Sequence, residues 1–197
     1  MSAIACKKEI PYDLNVFTLN NISNAIVQNA KCGIDLETGT VYTIEEGKPI
    51  SGKIDIAYGY CTIPRERGFL AISYAGCHCG GAVNFCYGDN DNPLTGFSSY
   101  DKKNITQLLT TQTALNFNEI KNLKTKAALD KYFPLNAAFS DEAYFSVNDN
   151  IIAQPYVFFT TASGKRGIIH VKPYTKDFSP DYYLHENSIS IEIIIER

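Results

Sequence analysis

The chain has 197 residues, 45% of them hydrophobic and 20% charged, and this is enough apolar material to bury a core without disulfides or metal. A formal net charge of −3, with Lys and Arg scattered rather than clustered, excludes an electrostatic case for nucleic-acid binding. With 13 Tyr, 11 Phe, no Trp and many Ile, Val and Thr, the composition suits half-buried pleated surfaces better than helix faces.

The N-terminus reads Ser2-Ala3-Ile4-Ala5-Cys6-Lys7-Lys8-Glu9. Small residues before a Cys and charge after it resemble the end of a bacterial lipobox, with Cys6 as the lipidated residue. Ala3 stands where Leu is usual, and the apolar region of a signal peptide does not fit ahead of Cys6. Lys8-Glu9 also resembles an export tag that sends lipoproteins to the cell surface. The expectation is a tether over residues 1–13 and one β-rich globular domain over 14–197, anchored to a membrane through lipid on Cys6. It would sit at the outer membrane or cell surface, with the periplasm as the other compartment.

Residues 14–27 are ambiguous, with a short helix considered over 24–28. Gly33 to Leu36 and Thr40 to Ile44 then flank Glu37-Thr38-Gly39 as a hairpin. From Lys53 to Tyr60 the chain alternates, with Ile54, Ile56, Tyr58 and Tyr60 on one face. Phe69 to Tyr74 and Ala82 to Tyr87 read as strands, and Gly88 to Pro93 as a loop. Helical character is expected over Asn104 to Thr110 and over Thr125 to Phe133, where Ala128, Leu129, Tyr132 and Phe133 share a face and Pro134 stops the helix. Ser140-Asp141-Glu142 is expected to cap a further turn. Tyr156 to Thr161 and Gly167 to Val171 form a hairpin across Ala162 to Arg166. Ser188 to Ile195 is alternating, then continuously apolar, and so belongs in the interior of a sheet rather than at its edge. The fold class is therefore mainly β, with sandwich-like antiparallel sheets and two or three short helices in the 100–145 region.

Asp35-Leu36-Glu37-Thr38-Gly39, Asp55-Ile56-Ala57-Tyr58 and Ser163-Gly164-Lys165 give the chain a resemblance to small bacterial surface lipoproteins, including the HmuY-like haem-binding lipoproteins. The resemblance spans about half the chain in short pieces and implies an exported β-rich fold, with haem as the cofactor it suggests. Lys53-Ile54 stands where that family commonly has Trp, and no motif marks its haem-ligand pair.

The densest cluster of soft ligands is Cys77-His78-Cys79 with Cys86, a zinc candidate. Its spacing is tighter than a standard site, and on a strand His78 would face away from the two thiols. Disulfides among Cys32, Cys61, Cys77, Cys79 and Cys86, or plain burial of thiols, outweigh the metal reading. His170 and His185 are the candidate axial ligands for haem. Asp89 and Asp91 open like a calcium loop, but Pro93 and Leu94 break that pattern. No hydrolase, zinc-protease, phosphate-loop or dinucleotide motif is present. The leading expectation is a non-catalytic surface lipoprotein, a ligand-binding or structural module. Its rivals are a haem- or metal-binding lipoprotein and a thiol-dependent enzyme built on Cys77 or Cys79.

Overall fold

The computed structural model describes residues 13–23, 29–60, 66–71, 97, 99–111, 115–134, 136–148, 151–153, 155–172 and 188–197. Within them the fold is mainly β, and two antiparallel sheets pack face to face. The five-stranded sheet runs β1 (Leu14–Ile22), β11 (Ile189–Glu196), β10 (Arg166–Val171), β9 (Tyr156–Thr160), β6 (Gln107–Thr111). The six-stranded sheet runs β3 (Thr40–Tyr42), β2 (Gly33–Asp35), β4 (Ile56–Tyr60), β5 (Glu66–Ala71), β7 (Glu142–Asn148), β8 (Ile151–Ala153).

Strand periodicity explains the layers. Ile189, Ile191, Ile193 and Ile195 of β11 point between the sheets, beside Ile169 and Val171 of β10 and Val157 and Phe159 of β9. Ile34, Ile56, Tyr58, Phe69 and Ala143 meet them from the six-stranded sheet. The alternate residues Ile194, Ile168 and Phe158 face outward from the sandwich, yet they are also buried. Two short helices cover them: α2 (Phe117–Ile120) and α3 (Lys126–Leu129) supply Phe117, Ile120 and Leu129, and Phe133 follows. Each helix has a side-chain N-cap, Asn116 accepting from the Glu119 amide and Thr125 from the Ala128 amide. Arg166 fastens this layer by pairing with Asp130 and Glu196, both at 2.6 Å, under a guanidinium that lies over the Phe133 ring.

Several expectations hold. The 33–42 hairpin, the 156–171 hairpin and the interior position of the last strand are all present. Tyr132 and Phe133 pack on the sheet as the helical pattern requires, although the helix itself ends at Leu129. Others are corrected. Residues 107–111 form a strand, not part of a 104–110 helix, because pairing with β9 places Leu108 in the core and Leu109 under the helices. Tertiary pairing overrides local propensity there. Ser140 caps no turn: it exchanges two backbone hydrogen bonds with Leu108, at 2.6 and 2.8 Å, and Glu142 begins β7. Leu14–Ile22 is an outer strand of the first sheet. Thr43 ends β3 by capping α1 (Ile44–Gly47) in a reciprocal box with Glu46, and an irregular 3-10 stretch over Lys48–Lys53 follows. That stretch delays the strand expected from Lys53 until Ile56, although Ile54 is already fully buried. The strand expected over Ala82–Tyr87, residues 24–28, residues 72–74 and the 88–93 loop lie outside the described residues.

The three short motifs behind the resemblance meet at one end of the sandwich. The Leu36 amide donates to Asp55 Oδ2 at 2.9 Å, while Glu37 accepts from Ser163 Oγ and Lys165 Nζ, each at 2.6 Å. Asp35 Oδ1 holds the turn between them by accepting from the Glu37 and Thr38 amides. Gly39 closes it with φ of 66°, and its missing side chain leaves room for Phe17 of the opposite sheet.

The packing predicts a sharp contrast between two isoleucines. Ile193→Ala, at a fully buried site between the sheets, should cost about 3–4 kcal/mol in urea unfolding. Ile105→Ala, at a residue 59% exposed, should change stability by less than about 0.5 kcal/mol. Similar costs at the two sites would contradict the core assignment.

Candidate functional site

The outward face of the five-stranded sheet changes character one residue pair beyond the helix cover. Strand register aligns Thr18, Glu192, His170, Tyr156 and Thr111 across β1, β11, β10, β9 and β6 in a single row. The row before it carries Ile194, Ile168, Phe158 and Leu109 and is apolar. Polar and aromatic groups are thus delivered side by side to a half-open surface.

Here the sheet and the start of α2 enclose an open depression of about 500 Å³, lined by Leu115 to Asn118, Tyr156, His170 and Glu192. The Tyr156 and His170 rings stack at 4.9 Å with 17° between their planes. Phe117 leans on His170 from α2, with ring centroids 4.7 Å apart. The Tyr156 hydroxyl donates to the Leu115 carbonyl at 2.6 Å, which ties the approach to α2 onto the sheet.

His170 Nδ1 lies 3.3 Å from Glu192 Oε2, and Lys172 Nζ lies 3.5 Å from the other carboxylate oxygen. Burial pushes the His170 pKa below its ordinary value, and the nearby Lys172 and Lys121 charges act in the same direction. The Glu192 hydrogen bond and charge oppose that shift and do not reverse it. The ring is therefore neutral at pH 7. When Nδ1 carries the proton and donates it to Glu192, Nε2 is left as an acceptor or a metal ligand. Burial also raises the Tyr156 pKa, so its phenol stays protonated.

Of the residues singled out from sequence, His170 sits in this depression. Cys32 is a fully buried free thiol beside β2, its pKa pushed up to about 12 by burial, which makes it a core group rather than a nucleophile. Cys6, Cys61, Cys77, His78, Cys79, Cys86, His185, Asp89 and Asp91 lie outside the described residues. Among the described residues no three His, Cys, Asp or Glu side chains converge as a metal site. Nor is any described helix long and apolar enough to cross a membrane. Sequence reading missed Glu192, Tyr156 and Phe117 as site residues. Glu192 carried a signal, as the single charged side chain between Ser188 and Ile195.

No family model, curated protein or solved structure matches the chain.

The depressed imidazole pKa gives a signed prediction. A group whose pKa is lowered on folding contributes stability above its unfolded value of about 6.5, and that contribution is lost as the pH falls through the folded value. Proton NMR of the His170 ring should give a midpoint below about 6.5, and Glu192→Gln should lower it further by removing the opposing carboxylate. A midpoint above the ordinary imidazole value would contradict the described surroundings.

Proposed function

We propose that the protein is an exported surface lipoprotein, anchored through Cys6, that binds a ligand without transforming it, and that the His170 depression is its ligand seat. The observation that carries the reading is the Glu192–His170–Tyr156 row, a set of oriented recognition groups placed on rigid strands at the edge of a helix cover. The chemistry of the lining favours binding over catalysis. Glu192 is engaged by His170 and Lys172, and the Tyr156 hydroxyl by the Leu115 carbonyl. These groups hold geometry more readily than they exchange protons with a substrate. Attachment through Cys6, at the outer membrane or cell surface, rests on the lipobox-like N-terminus.

A second reading takes the ligand to be haem or a metal ion, and His170 favours it. A carboxylate behind Nδ1 is the arrangement that fixes and strengthens a ligating histidine. Tyr156 and Phe117 offer an aromatic wall, and His170 fits the role of one axial ligand. His185 is the candidate from sequence for the second.

Two measurements test these readings. Protein extracted from the membranes of its native host should carry the mass of a diacylglyceryl group on Cys6, and Cys6→Ala should release it to the soluble fraction. An unmodified Cys6 would remove the anchored reading. Haemin added to the purified protein should produce a Soret shift that His170→Ala abolishes if the second reading holds. A spectrum that is the same for both proteins would remove His170 as a haem ligand.

A further inference from the structure

We propose that the outer edge of β1 pairs with β1 of a second copy of this chain. The two strands run antiparallel with Val16 on the two-fold axis, and the five-stranded sheets of the two copies join into one.

Hydrogen-bond parity decides which backbone groups of β1 are free. In an antiparallel pair, alternate residues exchange both of their backbone bonds with the partner strand. The Arg197 amide donates to the Asp13 carbonyl at 2.9 Å, and the register continues through Asn15↔Ile195, Phe17↔Ile193 and Leu19↔Ile191. The odd-numbered residues of β1 therefore face β11. The other side of β11 agrees: the Lys172 amide donates to the Ser190 carbonyl at 2.9 Å, so even-numbered residues of β11 face β10. Leu14, Val16 and Thr18 consequently turn their N–H and C=O groups outward, and no described residue bonds them.

The other sheet edges are covered or short, the usual protections against strand addition. Leu108 of β6 spends both outward backbone groups on Ser140. The six-stranded sheet ends in β3 and β8, of three residues each. In contrast, β1 has nine residues, with no charged side chain and no proline among them. It also carries Val16, 46% exposed and, with Ile105, one of the two large hydrophobics left exposed among the described residues.

A second copy fits this edge because the free stretch is symmetric about Val16. Asp13 is held by Arg197 and Lys124 at one end. A register shift between Leu19 and Ile22, with Asn21 at φ of 57°, ends the regular edge at the other. A β1 strand turned by 180° sets Leu14 opposite Thr18 and Val16 opposite its own counterpart. Every free N–H then meets a free C=O, and the two valines cover each other. The chain has a formal charge of −3, yet copies meet here without opposing like charges, because the strand has none. The two-fold axis of such a pair stands perpendicular to the sheet, so both His170 depressions open on the same side. A contact of one strand pair is small, below about 1,200 Å², and the dimer should therefore depend on concentration.

The test is sedimentation equilibrium of the full chain from about 1 μM to about 1 mM, with amide hydrogen exchange at both ends of that range. The mass should climb from monomer toward dimer. Exchange at the Val16 and Thr18 amides should slow in step, while Phe17, already bonded to β11, should not change. Val16→Lys and Val16→Glu should each weaken association by at least about tenfold, since like charges then meet on the axis. An equal mixture of the two variants should restore it, because opposite charges meet there instead. A monomer throughout, association indifferent to both variants, or a mixture no tighter than either variant alone would overturn the proposal. So would Val16 and Thr18 amides protected equally at every concentration, which would assign the edge to a different partner. Should a variant fail to fold, the concentration dependence of those two amides in the wild type decides by itself.

Discussion

The structure depends on burying β11 on both faces. A strand that presents Ile189, Ile191, Ile193 and Ile195 on one side and Ile194 on the other cannot leave either side in water. One face is satisfied by the six-stranded sheet, the other by α2 and α3. The flanking strands β1 and β10 saturate its backbone, so this very apolar segment never forms an exposed edge. The rest of the architecture follows from that double demand: a sandwich with helices laid on one outer surface.

The same demand creates the site. The helices are short, four residues each, and cover only part of the sheet face. Where their cover ends, β11 switches from Ile194 to Glu192, β10 from Ile168 to His170, and β9 from Phe158 to Tyr156. A polar row one register step from a buried apolar row gains partial desolvation without full burial. That intermediate environment keeps His170 neutral and fixes its ring against both Tyr156 and Phe117. At the opposite extreme, Asp55 is a polar group carried into the interior by the need to hold a turn.

Much of the fold was legible because its strands are strongly patterned. Tyr156 to Val171 shows two apolar runs around Ser163-Gly164-Lys165, and the last strand alternates before turning fully apolar. Weakly patterned pieces were not. Gln107-Leu108-Leu109 suits a helix as well as a strand, and pairing with β9 decides between them. Thr43-Ile44-Glu45-Glu46 contains a capping-box signature, but it directly continues β3 and reads as more strand until the turn is seen. The site was legible only through His170. Its partner Glu192 lies 22 residues away in sequence, and nothing in either strand's composition specifies the register that sets them opposite each other. Periodicity tells which face a residue takes, whereas cross-strand neighbours depend on how the strands slide. The motif pieces at Asp35, Asp55 and Ser163 were visible as separate words, and their meeting through Glu37 is a tertiary fact.

The most direct test of a ligand seat at His170 is native mass spectrometry of the protein isolated from its own host's membranes, compared with His170→Ala prepared in the same way. The account predicts a bound small molecule that survives gentle extraction on the wild type, leaves on denaturation, and is lost or sharply reduced on the variant. Equal occupancy of both proteins, or no bound mass on either, would contradict a binding site built on the Glu192–His170–Tyr156 row.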